Sequence, residues 1–135
     1  GVVKLDGDGL HIAFSIRSSI ASRKLMLAQR VRAVAALAGG TVAERGVYPG
    51  WQYKRESQFR DTLLAAYKDL TGKDGVVEAT HGGLECGLLG EKLPGLDCVS
   101  FGPDLTDIHT PRERMHIASV QRTWKLLCEV LKRSK

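Results

Sequence analysis

The sequence predicts an α/β fold built in two parts, and three observations carry that expectation. Residues Leu10 to Ile16 alternate, with His11, Ala13 and Ser15 set between Ile12, Phe14 and Ile16, which is the period of a half-buried strand. A helix pattern follows from about Ser22, with Leu27, Val31, Val34, Ala35 and Ala38 on one face and Gly39-Gly40 as its stop. Residues 41–47 then read as a second strand, so that strand, crossing helix and strand make a small α/β sandwich piece. Around Tyr48 to Glu56 the pattern breaks at Pro49-Gly50 and turns polar, as a hinge between the two parts does.

The second part opens with a helix from Ser57 that carries Phe59, Leu63, Ala66, Tyr67 and Leu70 at helical spacing and stops at Gly72. A short strand at Val76 to Ala79 is expected to lead into a His81-Gly82-Gly83 turn and a helical piece from Leu84 to Gly90. Leu96 to Phe101 is a short apolar run bounded by Pro94-Gly95 and Gly102-Pro103, the form of a buried strand that delivers the following loop to a cleft. His109 lies in that loop. Directly after it, Thr110-Pro111-Arg112-Glu113 has the pattern of a capping box with proline at the first helical position. The last helix places Ile117, Val120, Trp124, Leu127, Cys128 and Leu131 on one stripe, which predicts core packing. His116 is expected inside that helix and His11 on the outward face of its strand, both in structural roles.

Composition narrows the function classes. A chain of 135 residues with 43% hydrophobic and 26% charged residues has the material for a core and is not that of a disordered segment. No run approaches the roughly 18 consecutive apolar residues of a membrane span, and no signal pattern opens the chain, so no membrane partner is expected. Cys86, Cys98 and Cys128 are odd in number and lack paired short spacing, which fits reduced thiols in a cytoplasmic protein and argues against a structural zinc knuckle. The net charge of +5 raises nucleic acid as a partner. Yet Arg23, Lys24, Arg30 and Arg32 decorate one helix and Arg122, Lys125 and Lys132 another, aromatics are only 6%, and no stacking platform interleaves with them. No nucleic-acid partner is expected.

On the residues alone, the candidate site positions carry alternatives. His109, pinned between two elements, is either a metal ligand whose ring is held in orientation or a loop histidine that caps a backbone group. Arg17, at the end of an apolar strand, offers a planar fork to a carboxylate or else makes a surface salt bridge. Gly82 and Gly83 permit close backbone approach to a ligand, or form an ordinary turn. His81 and Glu85 are open between a catalytic role and local satisfaction.

Several blocks together resemble a known family. His81-Gly82-Gly83-Leu84-Glu85-Cys86-Gly87, Pro94-Gly95-Leu96-Asp97, Ser100-Phe101-Gly102-Pro103 and His109-Thr110-Pro111-Arg112-Glu113-Arg114 resemble the C-terminal end of aminoacyl-histidine dipeptidases. Those enzymes are part of the co-catalytic zinc peptidases called carboxypeptidase G2-like or M20. Upstream, Ile16-Arg17-Ser18-Ser19 and Tyr48-Pro49-Gly50-Trp51 look like the same branch, so the likeness runs along nearly the whole chain in the right order. It implies that residues 1–55 are the C-terminal half of a lid or dimerisation domain. Residues 56–135 are then the C-terminal part of a mixed-sheet catalytic domain.

It also implies hydrolysis of Xaa-His or related dipeptides by a parent enzyme, with two zinc ions per active site, short peptide substrates and a homodimer formed through the lid. The family's first metal histidine, bridging aspartate, general-base glutamate and further acidic ligands belong to an N-terminal stretch that has no counterpart here, so no catalytic residue is expected in this chain. His109 matches the last metal histidine. Arg17 matches a lid arginine that binds the substrate's C-terminal carboxylate, and Gly82 and Gly83 match a loop that borders the substrate. Two other classes compete with this expectation: an inactive assembly module of the same fold, and the basic nucleic-acid-binding domain already set aside.

Overall fold

The computed structural model describes residues 1–80 and 84–135. It is a mixed α/β arrangement of four helices and two small antiparallel sheets. The residues gather into two compact units, Gly1–Tyr53 with Ala79–Lys92, and Lys54–Glu78 with Leu93–Lys135.

In the first unit, β1 (Val2–Asp6) pairs with β2 (Gly9–Ala13), Val2 opposite Ala13 and Asp6 opposite Gly9. The two-residue turn at Gly7-Asp8 follows from chemistry: the Asp6 carboxylate accepts the Asp8 amide at 3.1 Å, and Gly9 takes φ 127°, which only glycine adopts without strain. β1 is absent from the expectations above, although the Asp-Gly repeat between alternating residues signals a hairpin. β2 is shorter than the expected strand and ends at Ala13. Helix α1 (Ala21–Leu37) lies where its periodicity places it and gives way to Gly39 at φ 70°. Residues 41–47, expected as a strand, have no ladder partner among the described residues. Helix α3 (Glu85–Lys92) completes the unit.

In the second unit, α2 (Gln58–Thr71) begins at Ser57, whose hydroxyl accepts the Arg60 amide at 3.1 Å, and ends at Gly72 in the left-handed conformation. Helix α4 (Ile117–Arg133) packs on it, and Leu63, Ala66, Leu126 and Val130 form the buried core with Phe59, Tyr67 and Val99 against it. Much of the apolar stripe predicted to fill this core is instead exposed, Ile117 at 78% and Trp124 at 64%, while Leu127 and Cys128 are half-buried. Ser119, Leu126 and Val130 are the buried positions of α4, a face rotated from the apolar maximum of the sequence. No strand forms at 76–79 or 96–101 among the described residues. The latter segment is tied to α2 by Asp97, and Val99 packs against the core.

Candidate functional site

The loop that bears His109 is the tip of a β-hairpin, not the approach to a helix. β3 (Leu105–Thr106) pairs with β4 (Arg114–Met115), enclosing residues 107–113, and α4 starts only at Ile117 with His116 as its N-cap. The side chains of the expected capping box are nonetheless engaged. Thr110 Oγ1 accepts the Arg112 amide at 3.2 Å and donates to the Asp107 carbonyl at 2.7 Å, while Glu113 Oε2 accepts the His109 amide at 2.7 Å. The glutamate thus reaches one residue further back than a capping box requires, and the turn closes as a loop. The helix cannot start at Thr110 because β4 claims the backbone of Arg114 and Met115.

This loop stores strain. Asp107 and His109, at φ 53° and 65°, are the non-glycine residues with positive φ among those described. A left-handed conformation costs an L-residue roughly 1–2 kcal/mol, which only surrounding bonds can hold. The base of the hairpin supplies such anchorage. His116 donates its amide to the Asp104 carbonyl at 3.0 Å, Asp104 donates its own to Ser119 Oγ at 2.9 Å, and Arg122 pairs with the Asp104 carboxylate at 2.9 Å. Ser119 is buried in α4, so the hairpin is fastened to the helix that forms the core. The His109 side chain stays exposed, and its imidazole makes no hydrogen bond or ion pair among the described residues. An imidazole so placed on a braced loop can serve as a metal ligand.

As a metal site the donor set is partial. A zinc site takes three or four protein ligands, and no three His, Cys, Asp or Glu side chains cluster for one among the described residues. His109 is a single donor, and the described residues form no metal-binding set around it.

Arg17 lies in the first unit, in the unpaired segment between β2 and α1. Ser18 Oγ beside it accepts the Ile20 amide at 3.1 Å. Gly50 fits against Ser19 so tightly that a Cβ there would stand 2.5 Å from the Ser19 carbonyl oxygen, and a Cβ at Gly87 of α3 would stand 3.1 Å from that of Pro49. The Ile16–Ser19 and Tyr48–Trp51 blocks, thirty residues apart in sequence as numbered, therefore meet backbone to backbone through glycine. The Arg17 guanidinium is exposed and has no carboxylate partner among the described residues.

Gly82 and Gly83, with His81, lie outside the described residues. Glu85 is exposed in the first turn of α3. His11 is exposed, with Nε2 3.4 Å from Asp6 Oδ1, and the bonded Lys4 ammonium, foremost among its partners, holds the Asp6 carboxyl below the usual range.

No family model matches the chain. It is 38% identical over 132 residues to the cytosol non-specific dipeptidase of Escherichia coli (strain K12), covering 98% of this chain and 27% of that protein. This chain is a homologue of the dipeptidases. The crystal structure of aminoacylhistidine dipeptidase from Vibrio alginolyticus superposes with a TM-score of 0.72 and 34% identity, over 86% of this chain and 24% of that one. The match falls on a C-terminal portion, and the chain spans about a quarter of the length of these relatives.

Asp97 is the residue of this dipeptidase homologue that sequence reasoning left without a role. Its Oδ1 accepts the Ser57 hydroxyl at 2.7 Å and its Oδ2 the Phe59 amide at 3.1 Å, so it caps α2 from forty residues away. Burial pushes its carboxyl up, but the Ser57 hydroxyl, the Phe59 amide and the charges of Lys54 and Arg60 outweigh that and hold it below the usual carboxylate range. The shallow depression there, lined by Lys54, Ser57, Arg60 and Asp97 among others, contains neither His109 nor Arg17. No local signal in the sequence predicts so distant a cap.

Proposed function

We propose that this chain is the C-terminal part of a metal-dependent dipeptidase of the M20, carboxypeptidase G2-like group, acting on Xaa-His or related dipeptides in the cytosol. The observation that carries the reading is the 38% identity to a dipeptidase along 98% of the chain, with His109 held in left-handed backbone at a hairpin tip within the matched span. Residues 1–55 are assigned to a lid that also forms a homodimer, and residues 56–135 to the catalytic domain.

In this reading His109 offers its free imidazole as one ligand to a zinc pair whose remaining ligands come from outside these residues. Bound zinc supplies Lewis-acid polarisation of the scissile carbonyl and an activated water. The contribution of this chain is orientation. Arg17 presents a planar, permanently charged fork that matches a free carboxylate in two parallel bonds, so a peptide with its C-terminus one residue beyond the scissile bond is held and a longer one is not. Gly82 and Gly83 are assigned to the border of the substrate, where absent side chains let backbone approach it.

Steady-state assay of the full-length protein carrying this chain, loaded with zinc, tests the reading. Hydrolysis of Xaa-His dipeptides is expected, whereas the 135-residue chain alone should neither hydrolyse them nor bind zinc tightly. A folded, metal-loaded full-length protein inert towards dipeptides would overturn it, as would genuine turnover by the isolated chain.

A further inference from the structure

We propose that Glu113 is a positioning residue for His109, and the proposal rests on the reading of His109 as the reactive side chain of the hairpin. Of the side chains around the loop, Thr110 is spent on the Asp107 carbonyl and the Arg112 amide, and neither bond reaches His109. Glu113 Oε2 makes the one side-chain bond to His109 among the described residues, accepting its amide at 2.7 Å.

The amide of a residue at φ 65° points away from the direction an extended chain gives it, so an acceptor fixed at that spot selects the left-handed state. The Glu113 backbone, from which that carboxylate reaches back, is fixed, because its amide donates to the Thr110 carbonyl at 3.1 Å and β4 begins at the next residue. The carboxylate therefore sets the direction of the His109 Cα–Cβ bond, and with it the place where the imidazole stands. The imidazole has no partner of its own to orient it among the described residues, which leaves the backbone bond as the means of aim.

The test uses the full-length enzyme with Glu113→Ala, Glu113→Gln and His109→Ala. Glu113→Ala should bind zinc about tenfold more weakly and lose kcat with little change in KM, the scale on which partners that orient a ligand act. Glu113→Gln keeps an acceptor oxygen and should restore most of both. Selective 15N-histidine labelling reads the bond itself: the His109 amide proton should move upfield in Glu113→Gln and further in Glu113→Ala.

If the alanine variant does not fold, the glutamine variant and its amide shift still decide. An unmoved His109 amide resonance, or wild-type zinc affinity and kcat in Glu113→Ala beside their loss in His109→Ala, would overturn the positioning role while leaving His109 as read. Full metal content and turnover in His109→Ala would instead remove the reading on which it rests.

Discussion

The unit of residues 54–78 and 93–135 closes a small core, whereas that of residues 1–53 and 79–92 buries no side chain among those described. In the first case Leu63 and Ala66 of α2 meet Leu126 and Val130 of α4, and the hairpin bearing His109 is tied to that core through Ser119. In the second, α1 buries nothing, and Val2, Leu5 and Leu37 stand 66%, 79% and 90% exposed. A two-stranded hairpin and a helix with bare apolar residues are marginal on their own. The lesson is that two candidate site residues are held by different physics: His109 by polar bonds anchored to a packed helix, Arg17 by the close fit of Gly50 against Ser19 in an uncovered unit.

The largest effect expected is at the anchored residue. His109→Ala in the full-length enzyme should lower turnover by orders of magnitude together with metal content, as loss of a metal ligand does, while circular dichroism stays that of the wild type. Elemental analysis of the purified variant checks it. Full metal content with normal turnover would reduce His109 to a loop residue and erase its contrast with Arg17.

Next comes the core that makes the units unequal. Leu126→Ala, at a position 9% exposed, should cost about 2 kcal/mol or more, at the lower end for leucine truncations because the core is small. Val34→Ala on α1, at 66% exposure, should fall within about 0.5 kcal/mol. Urea midpoints of the two variants give the comparison directly, and equal losses would mean that α1 is as well packed as α4.

Arg17→Lys probes the less anchored half. The lysine keeps the charge and loses the fork, so kcat/KM on free-acid dipeptides should fall by at least about tenfold. A C-terminally amidated dipeptide, which has no carboxylate to clamp, should be a poor substrate for the wild type and show little further loss in the variant. Equal losses on both substrates would make Arg17 a support of its own segment and not a reader of the substrate.

The smallest effect sharpens the packed unit. Asp97→Asn removes a charged cap from α2 and should destabilise the fold by about 1 kcal/mol at neutral pH. Because the folded state holds the Asp97 carboxyl below its ordinary value of 3.8, its contribution is present above that pH and is lost as pH falls through the depressed value. Urea midpoints of wild type and variant should therefore differ at pH 7 and converge below pH 3.8.

Four helices, both ends of α2, the glycine stop of α1 and the likeness to dipeptidases were legible in the residues alone, whereas the cap motif at Thr110 began no helix. Helix α2 was bounded by Ser57 and Gly72, and α1 by the glycines after Ala38, because caps act within a turn and leave a local mark. The likeness was legible because its blocks follow one another in order along the chain. Apart from β2, strands were not: 41–47, 76–79 and 96–101 have the composition of strands, but a strand exists only when another segment pairs with it in a ladder, and none does so among the described residues. The Asp-Gly turn of β1 and β2 shows the converse, a ladder legible in principle because its partner lies two residues away.

The sequence by itself thus determined which segments are helical and where α1 and α2 stop. Only the tertiary structure decided that α4 buries Ser119, Leu126 and Val130 in place of its Trp124 stripe, that Asp97 caps α2, and that Thr110-Pro111-Arg112-Glu113 closes a hairpin around His109. The reason is range. Periodicity and caps are satisfied within a few residues, whereas the face a helix buries and the fate of a box-like motif depend on partners that the chain brings from far along its length.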